Sequence, residues 1–189
     1  IWTLDYPPFF AYFEWCLSQI AVKIDPDIVK LSAEQIVNDN VIVFQRCSVI
    51  CSEFLLVWAA LSCMEHFPWL REPKRRNMVY LLLIFNAGLI MVDHMHFQYN
   101  GMLLGILVST FIVSFKENYV VMAWIFSCLV LFKHLFMTLA PVYALFLLRF
   151  YCIKESKLTN FDVYYRFMIL VLVAFVTLVA CFGPLLITG

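Results

Sequence analysis

Apolar residues run in long blocks along this chain, and the polar residues between them are gathered into short stretches. Six blocks are apolar enough to enter a bilayer: Phe44–His66, Met78–Val92, Met102–Phe115, Tyr119–Phe132, Leu135–Phe150 and Phe167–Thr188. A helix crossing perpendicular to the membrane needs about 20 residues. The first and last blocks reach that length and the middle four fall short. Short segments fit a bundle in which some helices stop inside the protein, where polar backbone can line a cavity. Gly101-x-x-x-Gly105 has the spacing that lets helix backbones approach closely in lipid. Before the first block, Phe9, Phe10, Phe13, Leu17, Ile20 and Ala21 recur at helical spacing behind Pro7-Pro8, a favourable helix start. This predicts an amphipathic helix over 8–22 lying at a membrane interface. A second short helix is predicted over 26–37, capped by Asp25 with Pro26 at its first position.

Composition strengthens the membrane reading. Hydrophobic residues make up 64% of the 189 and charged residues 14%, against about 45–50% and 25% in an ordinary globular chain. Leu81–Val92 and Met168–Gly189 carry no charge at all. The expected fold is an all-α integral membrane bundle, with 1–43 a loop region bearing interfacial helices and 44–189 about six membrane segments. Net charge is zero, which gives no basic surface for nucleic acid. Seven cysteines show no C-x-x-C pair. Cys47, Cys51, Cys63, Cys128 and Cys181 read as small membrane-buried hydrophobes rather than disulfides or zinc ligands. The chain opens at Ile1 without a basic n-region, so no signal peptide is read, and it stops at Gly189 just after an apolar run. It is expected to be truncated at both ends.

The basic residues set an orientation. If the segments alternate strictly, one side receives Arg71, Lys74, Arg75, Arg76, Lys116, Arg149, Lys154, Lys157 and Arg166, nine of the 13 Lys and Arg. The other side receives Asp5, Glu14, Asp25, Asp27, Glu34, Asp39 and Asp93. The basic side should be cytosolic. The N-terminal segment and an Asp93–Gly101 loop then face the lumen or the outside.

The candidate chemistry lies on that acidic side. Asp25-Pro-Asp27 matches a metal- and nucleotide-binding D-x-D pattern, but no βαβ unit surrounds it, and it reads as a helix start rather than a metal site. Asp93 to Gly101 is the densest polar cluster: one carboxylate, two imidazoles, two amides and two aromatic rings. It is open to three readings: a plain turn, a zinc site lacking obvious third and fourth ligands, and a sugar- or phosphate-handling loop. Ionisable groups at membrane depth are functional candidates by default. Arg46 and Glu53 stand about two helical turns apart, on one face. Arg46 is either a snorkelling anchor or a fork for an anion. Lys133-His134 poses the same choice. Asp5 stands among Trp2, Tyr6 and prolines, where aromatic faces could stack on a sugar ring and a carboxylate could take a hydroxyl proton.

Leu4–Trp15 (LDYPPFFAYFEW), Phe44–Ile50 (FQRCSVI), Val92–Gly101 (VDHMHFQYNG), Phe132–Phe136 (FKHLF) and Ala140–Tyr143 (APVY) follow one another in order. Together they resemble the dolichyl-phosphate-glucose-dependent α-1,3-glucosyltransferases of asparagine-linked glycosylation, over residues 2 to 186. Gln45, Gly101 and His134 look like the enzymes adding the second glucose to the lipid-linked oligosaccharide rather than the first.

The resemblance implies a multi-pass GT-C-type bundle in the endoplasmic reticulum membrane, with its active site facing the lumen. It also implies an inverting transfer without metal or other cofactor. The partners implied are a dolichyl-phosphate glucose donor, a lipid-linked oligosaccharide acceptor and membrane lipids. Such a site needs a carboxylate base and cations on the departing phosphate. The family's usual base is expected upstream of Ile1, which leaves Asp5 and Asp93 as catalytic candidates here. Arg46, Lys133 and His134 are assigned to donor phosphate. Tyr6, His94, His96, Gln98 and Asn100 are assigned to sugar binding or loop architecture. The alternatives are the first glucosyltransferase of the same pathway and a polyprenyl-linked sugar transporter, the latter disfavoured by plain basic cytosolic loops.

Overall fold

A computed structural model describes residues 6–30, 39–154 and 159–188. Among these the protein is all-α. Its elements are α1 (Pro8–Ile24), α2 (Asp39–His66), α3 (Pro73–Ile84), α4 (Ala87–His96), α5 (Asn100–Phe115), α6 (Tyr119–Phe132), α7 (Ala140–Leu147) and α8 (Asn160–Thr188). Four stretches are long and apolar enough to cross a membrane by length and composition: Asp39–His66, Pro73–His96, His134–Cys152 and Asn160–Ile187. The second and third are longer than the apolar blocks Met78–Val92 and Leu135–Phe150 predict, because helix continues into polar residues at both ends.

The helix ends explain these corrections. Asn86 interrupts the Met78–Val92 block: its side chain accepts N–H bonds from Gly88 (2.9 Å) and Leu89 (3.2 Å) and starts α4 afresh. An Asn side chain competes with the helix ladder in this way and favours caps over interiors. At the far end α4 runs on to His96, where Phe97 turns left-handed (φ 52°). The predicted Asp93–Gly101 loop is therefore mostly helix, with only Phe97–Tyr99 between α4 and α5. α8 starts about two turns before the predicted Phe167. Thr159 and Asp162 bond each other reciprocally there, Thr159 Oγ1 donating to the carboxylate at 2.6 Å and Asp162 N–H donating back to the hydroxyl, as in a capping box. The predicted second helix over 26–37 is one 3₁₀ turn, Pro26–Val29, with Lys30 extended; residues 31–38 lie outside the described residues. Asp25 caps that turn as expected, accepting the Asp27 N–H at 2.9 Å. Leu135–Phe150 divides into a 3₁₀ stretch (His134–Leu139), α7 and a π segment (Leu148–Cys152).

The chain forms two compact units. One comprises Tyr12–Ser109. In it the Gly101-x-x-x-Gly105 spacing does what it predicts, bringing α5 backbone against α2. A Cβ on Gly105 would stand 2.7 Å from Leu56 N and 2.9 Å from the Leu55 carbonyl carbon. Val49, Leu56, Ala59 and Leu103 are buried there. Cys63 is buried, whereas Cys47 and Cys51 lie on the exposed surface of α2.

The other unit comprises the described residues up to Ala11 and from Thr110 onward. Here α6 packs along α8, and Phe126 stacks on Tyr143 with ring centroids 3.8 Å apart. The Tyr143 hydroxyl bonds buried Thr110. Arg166 donates to the Tyr151 carbonyl at 2.9 Å and covers its ring. Large apolar side chains such as Phe54, Trp58, Leu172 and Phe175 stay exposed on the spanning helices, as a surface facing lipid rather than water would have them.

Candidate active-site elements

The polar cluster around Asp93 is built on a helix end. The first N–H groups of α5 have no partner within their own helix. Asp93, 0% exposed on α4, supplies it. Its Oδ2 accepts the Gly101 N–H at 2.6 Å, and its Oδ1 accepts Asn100 Nδ2 at 2.8 Å. Asn100 Nδ2 also donates to Gln98 Oε1 at 3.0 Å. A carboxylate at a helix N-terminus is further favoured by the aligned backbone dipoles. Gly101 sits close to its neighbours: a Cβ would lie 3.1 Å from Glu53 Cγ and 3.3 Å from Asp93 Oδ2, so those side chains would have to give by a few tenths of an ångström.

The same cluster ties neighbouring helices together. His94 Nε2 lies 3.1 Å from the Glu53 carboxylate on α2. Buried Tyr99 shares a 3.0 Å hydrogen bond with Ser48 of α2 and meets Phe13 of α1 edge-on at 4.9 Å. His96, by contrast, is exposed. The two imidazoles are thus committed to different surroundings, and among the described residues no three His, Cys, Asp or Glu side chains gather where a metal ion could sit. Asp93, His94, Gln98 and Asn100 are brought together; His96 is not.

Arg46 is exposed on α2, and among the described residues no hydrogen bond or ion pair holds it. Its neighbour Gln45 faces a cavity of about 260 Å³ whose wall also includes Glu14, Ser18, Phe44, Phe97 and Tyr99. Partial desolvation by the surrounding protein raises the Glu14 pKa from its ordinary value, while the residue as a whole stays exposed. Burial also raises the Tyr99 phenol, against the lowering effect of its bond to Ser48. Glu14 is a candidate that sequence reasoning passed over. The signal was its place as an acid between Phe13 and Trp15 on a helix rich in aromatic residues.

In the other unit, Lys133 ends α6 in an extended conformation, its ammonium 5.6 Å from the centroid of the Tyr6 ring. Tyr6 packs on Phe10 with centroids 4.4 Å apart. These two predicted site residues are therefore neighbours. His134 is exposed at the start of the following 3₁₀ stretch. Asp5 lies outside the described residues. Asp25 and Asp27 are engaged locally, Asp25 with the Asp27 N–H and with Asn40 Nδ2 (3.0 Å), Asp27 with Lys30. That is the helix-start reading of Asp25-Pro-Asp27.

All-α architecture with four stretches long and apolar enough to cross a membrane describes a polytopic membrane protein. A family model, the ALG6, ALG8 glycosyltransferase family, matches residues 1–189, and the chain belongs to that family. An Arabidopsis thaliana relative, a dolichyl pyrophosphate Glc1Man9GlcNAc2 alpha-1,3-glucosyltransferase, is 41% identical over 189 residues, covering 100% of this chain and 36% of its own length. Relatives of the same name from Kluyveromyces lactis and Mus musculus are 44% and 38% identical, over 82% of this chain and 28% and 31% of theirs. The chain spans about a third of the length of the curated relatives it matches.

Proposed function

We propose that the whole protein transfers glucose from dolichyl-phosphate glucose to a dolichyl-diphosphate-linked oligosaccharide in asparagine-linked glycosylation, forming an α-1,3 linkage. The acceptor in this reading is Glc1Man9GlcNAc2. It already carries one glucose, so the glucose added is the second. The observation that carries the reading is the match to relatives of that name at about 40% identity across most or all of the chain. Gln45, Gly101 and His134 point the same way.

In the reaction, an acceptor hydroxyl attacks the anomeric carbon of the donor. The bond from that carbon to the phosphate oxygen breaks, and dolichyl phosphate leaves with the electron pair. A carboxylate takes the hydroxyl proton, and attack from the face opposite the phosphate inverts the configuration. Lys133, with His134 beside it, is a proposed cation for the departing phosphate. Lys133 is pre-positioned over Tyr6, and a cation placed where charge grows is the larger part of such catalysis. Arg46 keeps the same role as a proposal of its own, since its fork suits phosphate.

Asp93 has both carboxylate oxygens engaged, so its proposed role is to hold the α4–α5 corner, with His94, Gln98 and Asn100, rather than to take the proton. Asp5 is the remaining catalytic candidate in this chain. The proposed setting is the endoplasmic reticulum membrane, with 1–43 and the α4–α5 corner on the luminal side.

The test offers purified full-length enzyme both lipid-linked acceptors, Man9GlcNAc2 and Glc1Man9GlcNAc2, with dolichyl-phosphate glucose. Transfer to the second is expected. Transfer to the unglucosylated acceptor alone would reject the second-glucose assignment, and lipid-linked sugar flux without transfer would reject the enzyme.

A further inference from the structure

A groove of about 380 Å³ runs between α6, α7, the π segment and α8, all within the unit that holds Thr110 onward. Its wall is apolar: Ala123 and Phe126 of α6, Ala144 of α7, Leu148 of the π segment, Phe167 and Ala174 of α8. Two hydroxyls also line it, and both are engaged. Ser127 donates to the Ala123 carbonyl at 2.8 Å, and Tyr143 shares its bond with Thr110. The π segment widens the chain here. The Ile153 N–H bonds the Leu148 carbonyl at 3.0 Å, a looser turn than the α-helix makes, and Leu148 and Cys152 both line the groove.

One end of the groove carries positive charge. Arg166 of α8 donates to the Tyr151 carbonyl at 2.9 Å and lies over the Tyr151 ring. Arg166 precedes Phe167 and Tyr151 precedes Cys152, two residues of the groove wall. The guanidinium therefore bridges the π segment and α8 at the groove's mouth. Among the described residues that carbonyl is its one hydrogen-bond partner, which leaves further N–H donors of the fork for a ligand. Arg149 is exposed beside Leu148. At this end Lys116, Arg149, Lys154 and Arg166 stand against Glu117 and Asp162. Lys154 is paired with Glu117, and the Asp162 carboxylate accepts from Thr159. The balance is positive. Tyr164 and Tyr165 are exposed next to Arg166, as aromatic side chains at the headgroup level of a bilayer are.

The chemistry of an occupant follows. The wall has no free donor or acceptor for a sugar or a nucleotide, whereas a lipid tail is as apolar as the leucines it would touch. Arg166 and Ala174 stand about 12 Å apart along α8, a depth that takes a hydrocarbon chain while the basic mouth takes its head. The mouth is also distinct from the proposed donor-phosphate position. Tyr151 packs on Tyr119, at the start of α6, with ring centroids 6.1 Å apart. Lys133 ends α6, roughly 20 Å further along the helix axis.

We propose that this groove holds an anionic glycerophospholipid, with an acyl chain between α6 and α8 and its phosphate at Arg149 and Arg166. Basic sites between membrane helices recognise such heads by charge, and the Arg fork suits phosphate. The inference does not rest on the glucosyltransferase reading.

The experiment uses full-length protein in nanodiscs containing equal amounts of dioleoyl phosphatidylinositol and dioleoyl phosphatidylcholine, and native mass spectrometry of the lipid it retains. Wild type should retain phosphatidylinositol in preference by about tenfold or more, the size of one charge-assisted contact. Arg149→Gln and Arg166→Gln should each lower that preference about tenfold. Ala174→Phe fills the groove and should abolish the retained lipid with both arginines in place. Should Arg166→Gln not fold, Arg149→Gln and Ala174→Phe decide. Glycerophosphoinositol, a head without chains, should not displace the lipid; full displacement by it would overturn the groove's part. Displacement by equimolar dolichyl phosphate would make this a polyprenyl site and overturn the proposal. Equal retention of the two phospholipids by wild type, or a preference unchanged in the variants, overturns it too. So does a wild type that retains no lipid, the result expected if other helices of the full-length protein cover the groove.

Discussion

Replacing Asp93 with Asn removes one charge and almost no volume, and the geometry makes the cost calculable. Both groups facing Asp93 are donors: the Gly101 N–H at 2.6 Å and Asn100 Nδ2 at 2.8 Å. An Asn amide has only one oxygen to offer. Whichever way it flips, its NH₂ points at a donor, and Asp93 is 0% exposed, so water cannot relieve the conflict. One charge-assisted bond is lost, worth about 1.5–3 kcal/mol, and a buried donor is left unpaired, at about 1–3 kcal/mol. Allowing for relaxation, about 2–4 kcal/mol of local stability should go. That corresponds to roughly 30- to 700-fold faster opening of the first turn of α5. Hydrogen-exchange mass spectrometry on full-length protein measures it, at the amides of Gly101 to Leu103. Glucose transfer should fall in parallel, because the corner carrying His94 and His96 loosens. Exchange within threefold of wild type alongside a collapse in kcat would refute the capping argument and move Asp93 into the chemistry.

Gly105→Ala should lower the unfolding midpoint, because its Cβ would stand 2.7 Å from Leu56 backbone and overpacking costs about 1–3 kcal/mol; an unchanged midpoint would mean that α2 and α5 are not in close contact. The Glu14 carboxyl has a raised folded-state pKa, so folding opposes its ionisation. Its favourable contribution is complete below the ordinary carboxylate pKa and is lost as pH rises through the folded value. Glu14→Gln should accordingly unfold at a higher temperature than wild type at pH 7, with the difference vanishing near pH 4; a pH-independent difference would contradict the linkage. On the proposed phosphate-binding role, Lys133→Ala in the full-length enzyme should raise KM for dolichyl-phosphate glucose about tenfold, as loss of a charge-assisted contact does. Tyr6→Phe should stay near wild type, because the ring face rather than the hydroxyl meets the ammonium; equal losses in the two would sink that geometry.

What the sequence determines alone is the solvent and the kind of element. Blocks such as Phe44–His66 and Phe167–Thr188 are too apolar to face water, and lipid offers backbone groups no partner, so helix is the one local answer available to an open chain. Side-chain caps next to the chain they cap were legible for the same reason. Asp25 before Pro26 could be read directly, because donor and acceptor are two residues apart.

Tertiary structure decided what each polar residue is for. Asp93 in a row of polar residues reads as chemistry, and only the left-handed turn at Phe97 shows that the chain doubles back to put α5's open N–H groups against it. His94 and His96 look equivalent on paper, yet α2 presents Glu53 to His94 while His96 stays exposed. Glu14, Gln45 and Tyr99 lie on three separate segments, and no local pattern announces that they share a cavity. Hydrophobic periodicity reports how far each residue avoids water, a property of one position. The role of a buried polar group depends on which donor or acceptor faces it, and that is set by packing between segments far apart in the chain.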